Sequence, residues 1–113
     1  MTELEKLKKE IVEWHKQTFP DCTLEAQLLK LDEELSEVVE DQRAGKIEES
    51  HEELADAYIV ALVLAKRYNS MIGKYFVGLA EEHPVPAFVS RVKDKMEINK
   101  RRTWHKQNGV YHH

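Results

Sequence analysis

The sequence predicts an all-α fold, a bundle of four to five helices, on three observations. Apolar residues recur at three- and four-residue intervals along most of the chain. Four glycines and three prolines in 113 residues are too few for a turn-rich β domain. A hydrophobic share of 42% with 34% charged residues supplies a core and well-solvated faces together. The length fits a single domain, 1–113, and no repeat or interdomain linker interrupts it.

Thr2 and Glu5 make a capping box, after which Leu4, Leu7, Ile11 and Trp14 share one helical face. That first helix stops near Phe19-Pro20, because the residue before proline is pushed out of helical geometry. A second helix runs from Thr23 to Gly45, with the packed stripe Leu24, Leu28, Leu31, Leu35 and Val38. The third starts at a Ser50–Glu53 capping box, or a turn earlier near Ile47. From Leu54 to Ala65 every residue except Asp56 and Tyr58 is apolar. A helix apolar on all sides must be covered on all sides, so a second subunit is expected to supply part of the cover. Met71, Ile72, Tyr75, Phe76 and Leu79 mark a short amphipathic fourth helix, despite Gly73 and Gly78. Glu81 to Pro86 reads as a connection, Ala87 to Arg102 as the last helix, and the tail 104–113 as irregular.

Several classes of function drop out. The twelve-residue run Leu54–Ala65 is too short to cross a bilayer, and Met1–Lys6 lacks the apolar stretch of a signal peptide. No membrane partner and a cytoplasmic location are therefore expected. The single cysteine, Cys22, forms no internal disulfide and has no CxxC partner or local base. There is no glycine-rich phosphate loop, and the position four after His51 is Ala55, which removes P-loop, Rossmann and HExxH chemistry. His15, His83 and His105 have no ligand spacing, and His112 and His113 receive no role.

The net charge of −4 hides an asymmetry. Glu25 to Asp56 carries twelve acids against three Lys and Arg, whereas Arg91 to Lys106 carries seven Lys and Arg against two acids. The two ends could simply pair, or one could hold cations and the other a polyanion. The carboxylates discriminate. Glu34 and Glu37 lie three apart on one helical face beside the Leu31–Leu35–Val38 stripe, with Asp41 one turn further on. Glu53 and Asp56 repeat the spacing on the third helix. Antiparallel packing would bring four carboxylates to one spot, and unit charges 4 Å apart repel by about 4 kcal/mol at an effective dielectric of 20. Such a group calls for cations, and oxygen-only ligands suit Mg²⁺ or Mn²⁺ rather than Zn²⁺. Glu33, Glu40, Glu48, Glu49 and Glu52 read as ordinary surface charges. Asp56 does not: a carboxylate within an apolar helix must ligate a metal or pair with a cation.

Glu34-Leu-Ser-Glu37, fifteen intervening residues and Glu53-Leu-Ala-Asp56 resemble the ExxE…ExxD signature of the MazG-like all-α nucleoside triphosphate pyrophosphohydrolases. Lys30 to Glu37 and Glu53 to Tyr58 read like the family's two motif helices, and Lys95-Met-Glu-Ile-Asn-Lys-Arg-Arg-Thr-Trp104 is similar to the basic segment of its smaller, phage-type members. The resemblance covers about residues 24–105, and residues 70–86 match no part of it. It implies an oligomeric four- to five-helix bundle of the MazG-like type, a homodimer or homotetramer. The activity it implies is hydrolysis of a (d)NTP to the (d)NMP and pyrophosphate, sanitising the nucleotide pool. It also implies that Glu34, Glu37, Glu53 and Asp56 hold one or more Mg²⁺ ions, with Mn²⁺ a possible substitute. One of the glutamates would take the proton of a water attacking phosphorus in line.

Lys95, Asn99 and Arg102 lie at i, i+4 and i+7, one face of the last helix, and are assigned to the substrate, Lys95 and Arg102 to its phosphates and Asn99 to donate to an oxygen or orient a neighbour. Trp104 could stack on a base or merely anchor the tail. Two alternatives remain. One is a related superfamily enzyme, either a dCTP/dUTP-type or a phosphoribosyl-ATP pyrophosphatase. The other is a non-catalytic helical dimerisation module whose acidic and basic ends pair between subunits. No nucleic-acid polymer is expected as a partner.

Overall fold

A computed structural model describes all 113 residues as five helices followed by a small β-hairpin. The order is α1 (Glu3–Thr18), α2 (Leu24–Arg43), α3 (Ile47–Arg67), α4 (Met71–Glu82), α5 (Phe88–Arg101), β1 (His105–Gln107) and β2 (Val110–His112). Helix α3 is the axis, and α1, α2, α4 and α5 all pack on it. Ala57 to Ala65 are all buried within this one chain, so the expected subunit cover is not needed there. The bundle supplies it: four helices surround one, which the periodicity of α3 alone could not reveal.

Local chemistry sets the ends. Thr2 and Thr23 cap α1 and α2, each hydroxyl accepting at 3.1 Å from the backbone N–H of Glu5 and Ala26. Phe19, ahead of Pro20, closes α1 by donating its N–H to His15 O at 2.8 Å. Gly45, at φ 75°, turns the chain so that only Ala44, Gly45 and Lys46 separate α2 from α3. The Ser50–Glu53 capping box does not form. The helix starts at Ile47, and buried Ser50 donates from Oγ to Ile47 O at 2.7 Å, which leaves Glu53 free for other partners.

Helix α4 departs from its expected orientation. Gly73, Phe76, Val77 and Ala80 turn inward, while Met71, Ile72, Tyr75 and Leu79 are exposed. Gly73 decides this, because a helix with no side chain there lies directly against the backbone of α3. The tail is not irregular either. Asn108 at φ 53° and Gly109 at φ 80° make a two-residue turn, pairing Gln107 with Val110 and Lys106 with Tyr111 in antiparallel register. No helix is long and apolar enough to cross a membrane.

Candidate functional site

Helices α2 and α3 build the acidic wall. Gln27 Nε2 donates to Val60 O at 3.3 Å near one end of the pair, and Glu37 meets Glu53 near the other. The helices are therefore antiparallel. One oxygen from each of Glu34, Glu37 and Glu53 lies within 4.8 Å of the others. Asp56 stands one turn beyond Glu53, its Oδ2 3.2 Å from Lys95 Nζ, with both side chains only 14% and 13% exposed. The expected meeting of four carboxylates is thus a group of three: Asp56, paired with Lys95, and Asp41, on the same flank in sequence, both lie outside it.

The carboxylates perturb one another. Burial pushes Glu34 up to about 7, with the charges of Asp56 and Glu37 adding to it and Lys30 and Lys95 opposing. Glu53 rises to about 8, first through burial, then through a hydrogen bond with the Glu37 carboxyl and the charges of Asp56 and Glu37. Burial raises Asp56 as well, against the pull of Lys95 and Arg102. Burial disfavours leaving these carboxylates ionised and unpaired, so a proton or another cation is what could neutralise them. The site's donors are all carboxylate oxygens, with no cysteine or histidine in the cluster, which fits Mg²⁺ or Mn²⁺.

The basic wall is α5. Arg91 orients it, donating from Nε to Pro86 O at 2.8 Å and pairing with Glu48 at 2.6 Å and with Glu52, which ties the start of α5 to the start of α3. Lys95 and Arg102 then fall on the face towards Asp56, and buried Asn99 accepts from Arg102 Nη1 at 3.2 Å. Thus Lys95, assigned to phosphate from sequence, already engages a carboxylate.

Two contributors went unread in the sequence. Lys30 Nζ lies 3.8 Å from Glu34 Oε1, an i,i+4 pair visible in the motif itself. The hairpin returns the chain to the site: His112 Nδ1 is 3.9 Å from Glu33 Oε2, and the His113 imidazole is lowered by burial and by the charges of Arg102 and Lys30. Asn108-Gly109 followed by Val110-Tyr111 was the available signal for it. Burial raises the Cys22 thiol, which donates weakly to Gln27 Oε1 at 3.5 Å.

Comparison of the chain with protein families, with curated proteins and with solved structures gave no match.

The raised carboxyls carry a pH signature. In the folded, chelated protein Glu34 and Glu53 hold protons to about 7 and 8, whereas in the unfolded chain they release them near 4.5. Their contribution to stability is therefore complete below pH 4.5 and lost as pH rises through 7 to 8. In EDTA the melting temperature is expected to fall across that window, and Glu53→Gln should flatten the fall. An unchanged slope in Glu53→Gln would show that Glu53 is not the group responsible.

Proposed function

We propose that the chain is a Mg²⁺-dependent nucleoside triphosphate pyrophosphohydrolase that cleaves between the α- and β-phosphates to give a nucleoside monophosphate and pyrophosphate. One observation carries the reading: carboxylates of α2 and α3, raised by burial and then by one another's charge, face the basic residues of α5. Glu34, Glu37, Glu53 and Asp56 would hold the metal, which when bound supplies positive charge for the phosphates and acidity for a water. Arg102 neutralises charge moving onto the leaving pyrophosphate, with Lys95 released from Asp56 to share that role. A carboxylate of the cluster accepts the proton of the attacking water. The likeness of the ExxE…ExxD helices to the MazG-like enzymes supports the same reading, and a nucleotide-pool role in the cytoplasm is part of what we propose.

The test is a panel of ribo- and deoxynucleoside triphosphates with phosphoribosyl-ATP, assayed for pyrophosphate in Mg²⁺. Pyrophosphate and monophosphate should appear together, and the preferred substrate separates the general enzyme from dCTP/dUTP-type or phosphoribosyl-ATP relatives. Arg102→Ala should lower kcat/KM by about 10²-fold while Mn²⁺ binding to the free protein stays unchanged. Silence across the panel would overturn the enzyme and favour a dimerisation module.

Self-association belongs to the same reading, now on a different surface. Met71, Ile72, Tyr75 and Leu79 are 78%, 58%, 73% and 42% exposed along the outer side of α4, an apolar patch suited to a second copy. A homodimer uses it once; a homotetramer needs a further contact. Light scattering should find a dimer that Tyr75→Glu disperses, and a wild-type monomer at low micromolar concentration would sink the idea.

A further inference from the structure

Lys95 reaches the acidic wall from a different helix. Its ammonium lies 3.2 Å from Asp56 Oδ2, between two largely buried side chains. Asp56 is its one ion-pair partner, and Lys95 is the one cation paired with Asp56. The charge of Lys95 also acts on Glu34 and Glu53, so a single ammonium from α5 serves carboxylates of both α2 and α3. The other cations nearby are placed differently. Lys30 pairs with Glu33 and Glu34 along its own helix, Arg91 is engaged with Glu48 and Glu52, and Arg102 donates to Asn99 Oδ1.

We propose that Lys95 is a tethered counter-cation, seated at the carboxylates until a divalent metal displaces it, so that metal binding and phosphate binding are coupled through this side chain. The inference rests on the pyrophosphohydrolase reading. A metal held by Asp56 would stand beside an ammonium of like charge in a poorly solvated place, and the two repel. The exchange strands nothing at Asp56, because one cation replaces another. Lysine is suited to leaving: its compact ammonium rides on a flexible four-carbon stem, whereas arginine grips a carboxylate through two parallel hydrogen bonds. Once displaced, Lys95 lacks a counter-charge, and it shares a helix face with Arg102. Phosphate oxygens supply the charge it lost. Metal entry thus prepares the phosphate site, and phosphates that draw Lys95 away tighten metal binding by the same factor.

The experiment is Mn²⁺ binding to the full chain without nucleotide, read from the electron paramagnetic resonance signal of unbound Mn²⁺. Lys95→Met keeps the stem and removes the charge, and should bind Mn²⁺ about fivefold more tightly than wild type or better. Lys95→Arg keeps the ion pair, and the fold with it, and should bind about threefold more weakly. Arg102→Ala removes a charge from the same helix face and should stay within about twofold of wild type. In EDTA, Lys95→Met should melt below wild type, since Asp56 is left unpaired, and should gain more from added Mn²⁺. Mn²⁺ binding by Lys95→Met no tighter than wild type, or a gain matched by Arg102→Ala, overturns the displacement. If Lys95→Met does not fold, Lys95→Arg binding as wild type does the same. Pyrophosphate release by the wild type in Mg²⁺ would then leave the enzyme reading standing. Absence of Mn²⁺ binding in every form, with no pyrophosphate from any triphosphate, overturns the enzyme reading and this inference with it.

Discussion

Asp56→Asn is expected to reduce pyrophosphate release about a thousandfold while barely changing the stability of the metal-free protein. A metal site contributes several kcal/mol of charge stabilisation in the transition state, and each 1.36 kcal/mol is tenfold in rate. The stability half of the expectation follows from the Asp56–Lys95 pair. Removing one partner from a buried ion pair ordinarily costs about 3–5 kcal/mol, because a charge is stranded. Lys95 would not be stranded, since loss of the Asp56 charge, which adds to burial in holding Glu34 and Glu53 protonated, favours their ionisation beside it. Asn also removes one of the charges that repel Glu34 and Glu53. The two effects oppose each other, so the melting temperature in EDTA should stay near wild type. The rise on adding Mg²⁺ should shrink, because a ligand stabilises only the state that binds it. A large loss of stability in EDTA with the Mg²⁺ rise intact would mean that Asp56 serves the ion pair alone.

Gly73→Ala should destabilise the fold by about 2–3 kcal/mol, a drop in melting temperature on the order of 10 °C. A Cβ built at Gly73 lies 2.6 Å from Ala65 N, 2.7 Å from Ala61 O and 2.7 Å from Leu64 Cβ. Two of these are backbone atoms in the C-terminal third of α3, so no side chain can rotate away, and α4 itself must move. Gly78 is the control on the same helix. A Cβ there meets nothing within 4 Å, and Gly78→Ala should stabilise by up to about 1 kcal/mol through helix propensity. Equal effects at the two positions in thermal melts would refute the close α3–α4 approach.

Where the chain advertised its structure, it did so through short-range chemistry. Thr2, Thr23, Phe19-Pro20 and Gly45 mark helix ends because caps and stops depend on the residues immediately beside them. The pairing of Glu34 and Glu37 with Glu53 was legible for a related reason: antiparallel helices joined by a short turn leave one register for their apolar stripes. Long-range facts were not legible. Which side of α4 faces inward depends on Gly73 meeting α3, and apolar residues on both sides gave opposite hints. That Lys95 bonds Asp56 depends on how Arg91 seats α5, a tertiary matter. The hairpin is a different failure. Its Asn108-Gly109 turn is local and readable, but three-residue strands are too short to register as a period.

All four carboxylates lie on the two arms of a single helical hairpin, closed by Ala44, Gly45 and Lys46. Their contacts are thus local in sequence, and little loop entropy is lost in bringing them together. Contacts of this kind form early in folding, whereas α5 and the hairpin must return from far along the chain. The repulsive half of the site therefore assembles before the basic half that relieves it. Lys95 and Arg102 arrive only with α5, so dissolved cations screen the cluster until then, and their concentration is expected to change the folding rate as well as the final stability.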